Sequence, residues 1–155
     1  MDGQSVKTTE RGGIRAFDAH KRIKGRKRHI LVDTLGLPIT ARVEPANISD
    51  RRAAPLLLGG LSPLFPNIRT VIADAGHESR KLAREIGRDA GWKLQIVKRR
   101  QRVQDYRADL DCGGTFAWLG RNRRLSKDYE YNVQTSETMI DIAAIRIILN
   151  RLEPA

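Results

Sequence analysis

The chain has 155 residues, with 29 lysines and arginines against 18 aspartates and glutamates, for a net charge of +11. That length holds one domain with a real core and is too short for two, and a hydrophobic fraction of 40% excludes wholesale disorder. The positive balance points to a polyanion, nucleic acid first; a solubilising surface or a ribosome-associated role is the alternative.

The single cysteine excludes a disulfide framework within the chain and fits a reducing cytoplasm. The start, "MDGQSVKTTERGG", is polar and carries no signal peptide. The longest apolar run, "MIDIAAIRIIL", is interrupted by Asp141 and Arg146 and predicts no membrane span.

The N-terminal third becomes dense in charge at "HKRIKGRKRHI". Two apolar runs follow, "HILVDTLG" and "LPITARVEP", and the turn at Gly36 between them predicts an antiparallel pair. "NISDRRAAPLLLGGL" reads as a helix starting near Ala53, because Pro55 is best tolerated in a first turn. "IRTVIADAG" is a β-branched strand ending at Asp74.

Ser79 is a candidate N-cap for "RKLAREIGRDAG", with Leu82, Ile86 and Ala90 on one face and Gly91 at its end. "WKLQIVKR" predicts another strand, then an irregular stretch from Arg99 to Gly114, a helix from Phe116 to Leu125 and a last one from about Ser136 to Leu152. That last helix is apolar around most of its circumference and is expected to be buried. Strand pair, helix, strand, helix, strand and helices make an α/β domain.

Asp74, at the carboxyl end of a strand and before a glycine, stands where α/β sheets present ligands; a solvated turn is the alternative. Asp2 heads "DGQSVK", which also reads as a frayed terminus. Two carboxylates brought together on a basic protein would suit Mg²⁺-assisted chemistry on a phosphodiester. His20, His29 and His77 are too scattered for a zinc site and read as structural, with His77 close enough in sequence to Asp74 to approach the same cleft. Phe116, Trp118 and Trp92 read as core.

Taken together, "DGQSVKTTERGG", "FDAHKRIKGRKRHILVDTLGLPI", "ANISDRRAA", "VIADAGHES" and "GTFAWLGRNRRLSKDYE" resemble the catalytic half of insertion-sequence-five-type bacterial DDE transposases. The motifs occur in the family's order over nearly the whole chain, apart from about Arg102 to Gly114. The resemblance implies an RNase H-like fold over residues 1–155, with its first strand truncated at the N-terminus and two aspartates and a glutamate holding Mg²⁺ or Mn²⁺. The aspartates correspond to Asp2 and Asp74. The glutamate belongs to a motif of the form W-I-V-E-R-T-F-A-W-L, and counting back from Phe116 puts it at Gly113.

The run "ADLDCG", Ala108 to Gly113, has a permissible coding choice whose neighbouring frame spells Arg-Thr-Trp-Ile-Val-Glu. A compensated reading-frame slip therefore accounts for the lost acid, a hypothesis that the gene's nucleotides test directly. Cys112 is then a by-product of the slip. Asp109 and Asp111 are the nearby substitutes, and Glu130 and Glu137 lie too far along.

On this reading the chain lacks the family's N-terminal DNA-binding portion and is impaired as a catalyst. It is otherwise a remnant that binds DNA, self-associates or inhibits an intact transposase, or one whose altered segment prevents stable folding. DNA contact is expected from Lys21, Arg22, Lys24, Arg26, Lys27 and Arg28, and from Arg121, Arg123, Arg124 and Lys127. A place in the bacterial cytoplasm, on the nucleoid, goes with that role.

Overall fold

The structure is a computed structural model that describes residues 1–10, 13–97 and 108–152, with side chains described from residue 112 onward in the last of these. Six strands and four α-helices lie among the described residues. The charged N-terminal third, expected to be partly loop, is mostly sheet. Strand β1 (Asp2–Lys7) pairs antiparallel with β3 (Ile23–Val32), from Asp2 opposite Ile30 to Lys7 opposite Gly25. The short β2 (Ala16–Asp18) pairs with the start of β3, and β4 (Pro38–Pro45) with the rest of it, as expected for the two apolar runs.

Strand β5 (Thr70–Asp74) runs parallel to β6 (Lys93–Val97), with α2 (Arg80–Ala90) as the crossover. The Met1 amino group donates to the Ile72 carbonyl at 2.5 Å and ties β1 to β5. Asp2 is therefore held between two sheet partners. The reading of this start as a frayed terminus is corrected by the β1–β3 ladder, which a polar sequence did not announce.

Strand β3 is covered on both faces, and its alternation explains the layers. Leu31 joins Met1, Val71 and Ala73 beneath α2 and α1 (Asp50–Leu58), whose Ala54, Leu57 and Leu58 complete that core with Leu82, Ile86 and Trp92. Ile30 faces the other way, against Val43 and against Phe116 and Leu119 of α3 (Ala108–Arg121), Leu125, and Ile140 and Ala143 of α4 (Val133–Leu152). Phe116 and Trp92 are core, as expected, and Trp118 packs against the second cluster. Leu119 is fully buried, and truncating such a leucine costs about 2–5 kcal/mol. A four-stranded antiparallel sheet (β1 to β4) and a parallel pair (β5 and β6), flanked by helices, make an RNase H-like α/β fold.

Helix ends follow local chemistry. Ser79 accepts from Leu82 N at 3.3 Å, and Gly91 closes α2 at φ 70°, which favours glycine. Helix α1 starts at Asp50 rather than near Ala53, because Arg52 N and Ala53 N already bond to Ser49 O. Pro55 is accommodated inside it, where the missing donor orphans the carbonyl of the exposed Arg51. The third helix begins at Ala108, inside the stretch read as irregular. The fourth is not buried all round: Ile142, Ile145, Leu149 and Leu152 are exposed.

Candidate active site

Asp2 heads β1 and Asp74 ends β5, close enough for the charge of Asp74 to act on Asp2. Asp74 ends β5 and caps the short 3-10 turn Ala75–His77: its Oδ1 accepts from Gly76 N at 3.1 Å and meets His77 Nδ1 at 2.7 Å. An ionised carboxylate only accepts, so His77 Nδ1 carries the proton in this arrangement. Asp2 Oδ1 accepts from Gly3 N at 2.6 Å.

Their acidities diverge. The His77 hydrogen bond holds the Asp74 carboxyl below the usual carboxylate range. Burial pushes Asp2 up, and the negative charge of Asp74 adds to that shift against the Gly3 N–H and His77. Neighbouring carboxylates driven in opposite directions recur where acid–base or metal chemistry is done, though structural networks produce them too.

A third carboxylate stands behind the pair that sequence reasoning did not single out. Asp50, first residue of α1, is wedged against the backbone next to both aspartates. A Cβ on Gly3 would lie 2.8 Å from its Oδ1, and one on Gly76 3.0 Å from its Oδ2. The absence of a Cβ at those two glycines leaves room for this approach. Asp50 Oδ1 lies 3.5 Å from Lys27 Nζ and 3.7 Å from His29 Nδ1. Lys27 also reaches Asp18, which accepts from Ser5 Oγ at 2.6 Å.

Burial holds the His29 imidazole down at about 4 despite Asp50 beside it, and its Nε2 has no hydrogen-bond partner. The available signal was "ANISDRRAA", whose aspartate is Asp50.

Gly113 lies on an exposed flank of α3, and a Cβ there would meet nothing within 4 Å. Next to it Cys112 is buried and lines a cavity of about 320 Å³ with Met1, Leu31 and Ile72. The side chains of Asp109 and Asp111 lie outside the described residues. Among the described residues no group of three or more histidines, cysteines, aspartates and glutamates is placed to hold a metal ion. Glu130 pairs with Arg124 at 2.9 Å, and Glu137 accepts from Val43 N at 3.0 Å.

The expected DNA-contacting cations divide. Lys21, Arg22 and Lys24 are exposed, and Arg22 and Lys24 border a shallow groove shared with Lys7, Arg15 and the exposed Phe17. Arg121, Arg123, Arg124 and Lys127 are also exposed.

Arg26 and Arg28 are corrected: both are fully buried. Arg26 pairs with Asp128 at 3.2 Å and also donates to Ser136 Oγ and to the carbonyls of Ile14, Glu130 and Tyr131. Arg28 donates to the carbonyls of Leu125 and Lys127. Strand alternation turns them toward α3, α4 and the loop between, while Lys27 faces Asp50 on the other side.

Helix-flanked sheets of RNase H-like architecture, with Asp2 heading β1 and Asp74 ending β5, set the fold class of the chain. A family model described as "Transposase DDE domain" matches residues 1–147, and the chain belongs to that family. The family acts on DNA in transposition and generally uses divalent metal ions. No curated protein and no solved structure matches the chain. No helix among the described residues is long and apolar enough to cross a membrane.

Proposed function

We propose that this chain is the catalytic domain of an insertion-sequence-five-type transposase, impaired in DNA end cleavage and strand transfer because Gly113 stands in the place of the third acid. The observation that carries this reading is the pairing of Asp2 with Asp74. Two hard oxygen donors that feel each other's charge gain from a divalent cation, and each is oriented by a local N–H on its Oδ1. Their donor chemistry fits Mg²⁺ or Mn²⁺. Such an ion supplies Lewis acidity and a more acidic bound water.

The chain's own residues supply the rest: Asp2 and Asp74 provide the negative charge, His77 fixes the Asp74 carboxylate, and Asp50 packs behind Gly3 and Gly76. Helix α3 supports the placement of the third acid. Position 112 points into the core, as the valine of W-I-V-E would, and position 113 has open space for a longer side chain. Lys21, Arg22, Lys24, Arg121, Arg123, Arg124 and Lys127 contact DNA phosphates. Gly113 favours a second reading, in which the chain binds DNA or associates with an intact transposase without cutting.

The test is Mn²⁺-dependent nicking of a duplex carrying the element's end. The chain is compared with Gly113→Glu and with a version whose Ala108 to Gly113 is replaced by Arg-Thr-Trp-Ile-Val-Glu. Nicking by Gly113→Glu and by the replaced version, absent from the unaltered chain and abolished by Asp74→Asn, is expected. Equal nicking by the unaltered chain overturns the impairment. Silence from every version, with folding verified by circular dichroism, overturns the catalytic assignment of Asp2 and Asp74.

A further inference from the structure

The search for a second site leads to the outer face of α4. Its inner face is set by Ser136, Ile140, Ala143, Ala144 and Ile147, all buried. On the opposite side Ile142, Ile145, Leu149 and Leu152 are 55%, 55%, 57% and 71% exposed. Their spacing is three, four, three: the a and d positions of one heptad and the next, which place a seam along one side of a helix. Large apolar side chains scattered singly on a surface need no explanation, but a seam of four does.

The residues flanking the seam select its occupant. In that heptad frame Asp141 is a g position and Arg146 is the following e position, on opposite edges of the stripe. In a parallel pair of identical helices, g of one chain faces the next e of the other. Asp141 of each copy would meet Arg146 of its partner, twice by symmetry. In the antiparallel arrangement Asp141 would meet Asp141 and Arg146 would meet Arg146, which repel.

We propose that the exposed seam of α4 is a self-association surface, on which a second copy of this chain packs its own α4 in parallel register. The inward face of each helix stays on its own sheet, so the two bodies lie on opposite sides of the seam. This does not depend on the catalytic reading of Asp2 and Asp74.

Sedimentation velocity over a concentration series tests it. The chain is expected to self-associate reversibly. Ile145→Asp, at an exposed position, should leave the melting curve in place and weaken association by tenfold or more, on the order expected for a charge set in an apolar seam. Asp141→Arg should weaken association about tenfold by replacing both cross-pairs with repulsion.

The double variant Asp141→Arg with Arg146→Asp should restore association, because the exchanged charges still match in parallel. A monomer at every concentration overturns the proposal and leaves the seam to a different polypeptide. Association indifferent to Ile145→Asp, or not rescued by the double exchange, overturns it as well.

Discussion

Replacing Arg26 by alanine tests whether β3 is a DNA-binding strand or a structural one. Arg26 has no solvent exposure and makes an ion pair with Asp128 at 3.2 Å. It also bonds Ile14 O at 2.9 Å, Glu130 O at 3.0 Å, Tyr131 O at 2.7 Å and Ser136 Oγ at 2.8 Å. Truncation leaves Asp128 buried, with Ser136 Oγ at 2.7 Å and Glu130 N at 3.1 Å as neutral donors in place of a cation.

Breaking a buried pair from one side costs about 3–5 kcal/mol, because the remaining charge is uncompensated. Its neutral donors should keep this case near the lower bound, and three orphaned carbonyls push it back up. We expect Arg26→Ala to lower unfolding free energy in urea by about 3 kcal/mol or more. Asp128→Asn, which keeps the shape and removes the charge, should act in the same direction. At a urea-free concentration where the variant stays folded, the salt slope of DNA binding should not change. A variant as stable as the parent but with a shallower salt slope would refute the burial-based assignment of Arg26.

Three further outcomes follow from the same geometry. Lys24→Ala should weaken DNA binding without destabilising the fold and reduce the log–log salt slope by about 0.9; a slope unchanged in fluorescence anisotropy would remove it from the interface. His29, held at about 4 against an ordinary 6.5, must take up a proton on unfolding in acid. Its stabilising contribution is complete above 6.5 and is lost as pH falls to about 4. The gap between those two values is worth on the order of 3 kcal/mol. His29→Gln takes up no proton in that range, so the parent's urea midpoint should fall relative to the variant's as pH drops from 6.5 to about 4, and parallel pH profiles would sink the idea. Asp74→Asn should bring the Asp2 carboxyl down toward its ordinary value in an NMR titration, and an unmoved Asp2 would mean that the two do not share a site.

The elements legible in the sequence were those whose patterning is local. Strand β5 announced itself through Val71, Ile72 and Ala73, and α2 through Ser79, Leu82, Ile86 and Gly91. Strand β1 did not, because "DGQSVK" owes its extended form to the β3 edge and to the Met1–Ile72 hydrogen bond rather than to its own composition. The pairing of Asp2 with Asp74 came from a motif resemblance, and their opposed acidities came only from the packing. Asp50 was hidden because its importance lies in what two glycines leave room for.

The charge of +11 also means something different once it is placed. "RKRH" and "RNRRLSK" both read as cationic clusters facing a polyanion, yet the arginines of the first are directed at the end of the second and the loop after it. Arg26 takes Asp128 as its partner, and Arg28 takes the carbonyls of Leu125 and Lys127. Two arginines thus fasten the loop between α3 and α4 to the central strand, and α3 is the helix that carries Gly113. Among the cations first assigned to DNA, the exposed ones lie on the β2–β3 hairpin and at and just beyond the end of α3. If α3 is the platform for a third carboxylate, the arginines of β3 act on the reaction at one remove, through the stability of the helix that would carry the acid. That reading separates their variants from those of Lys21, Arg22 and Lys24 by melting temperature rather than by affinity.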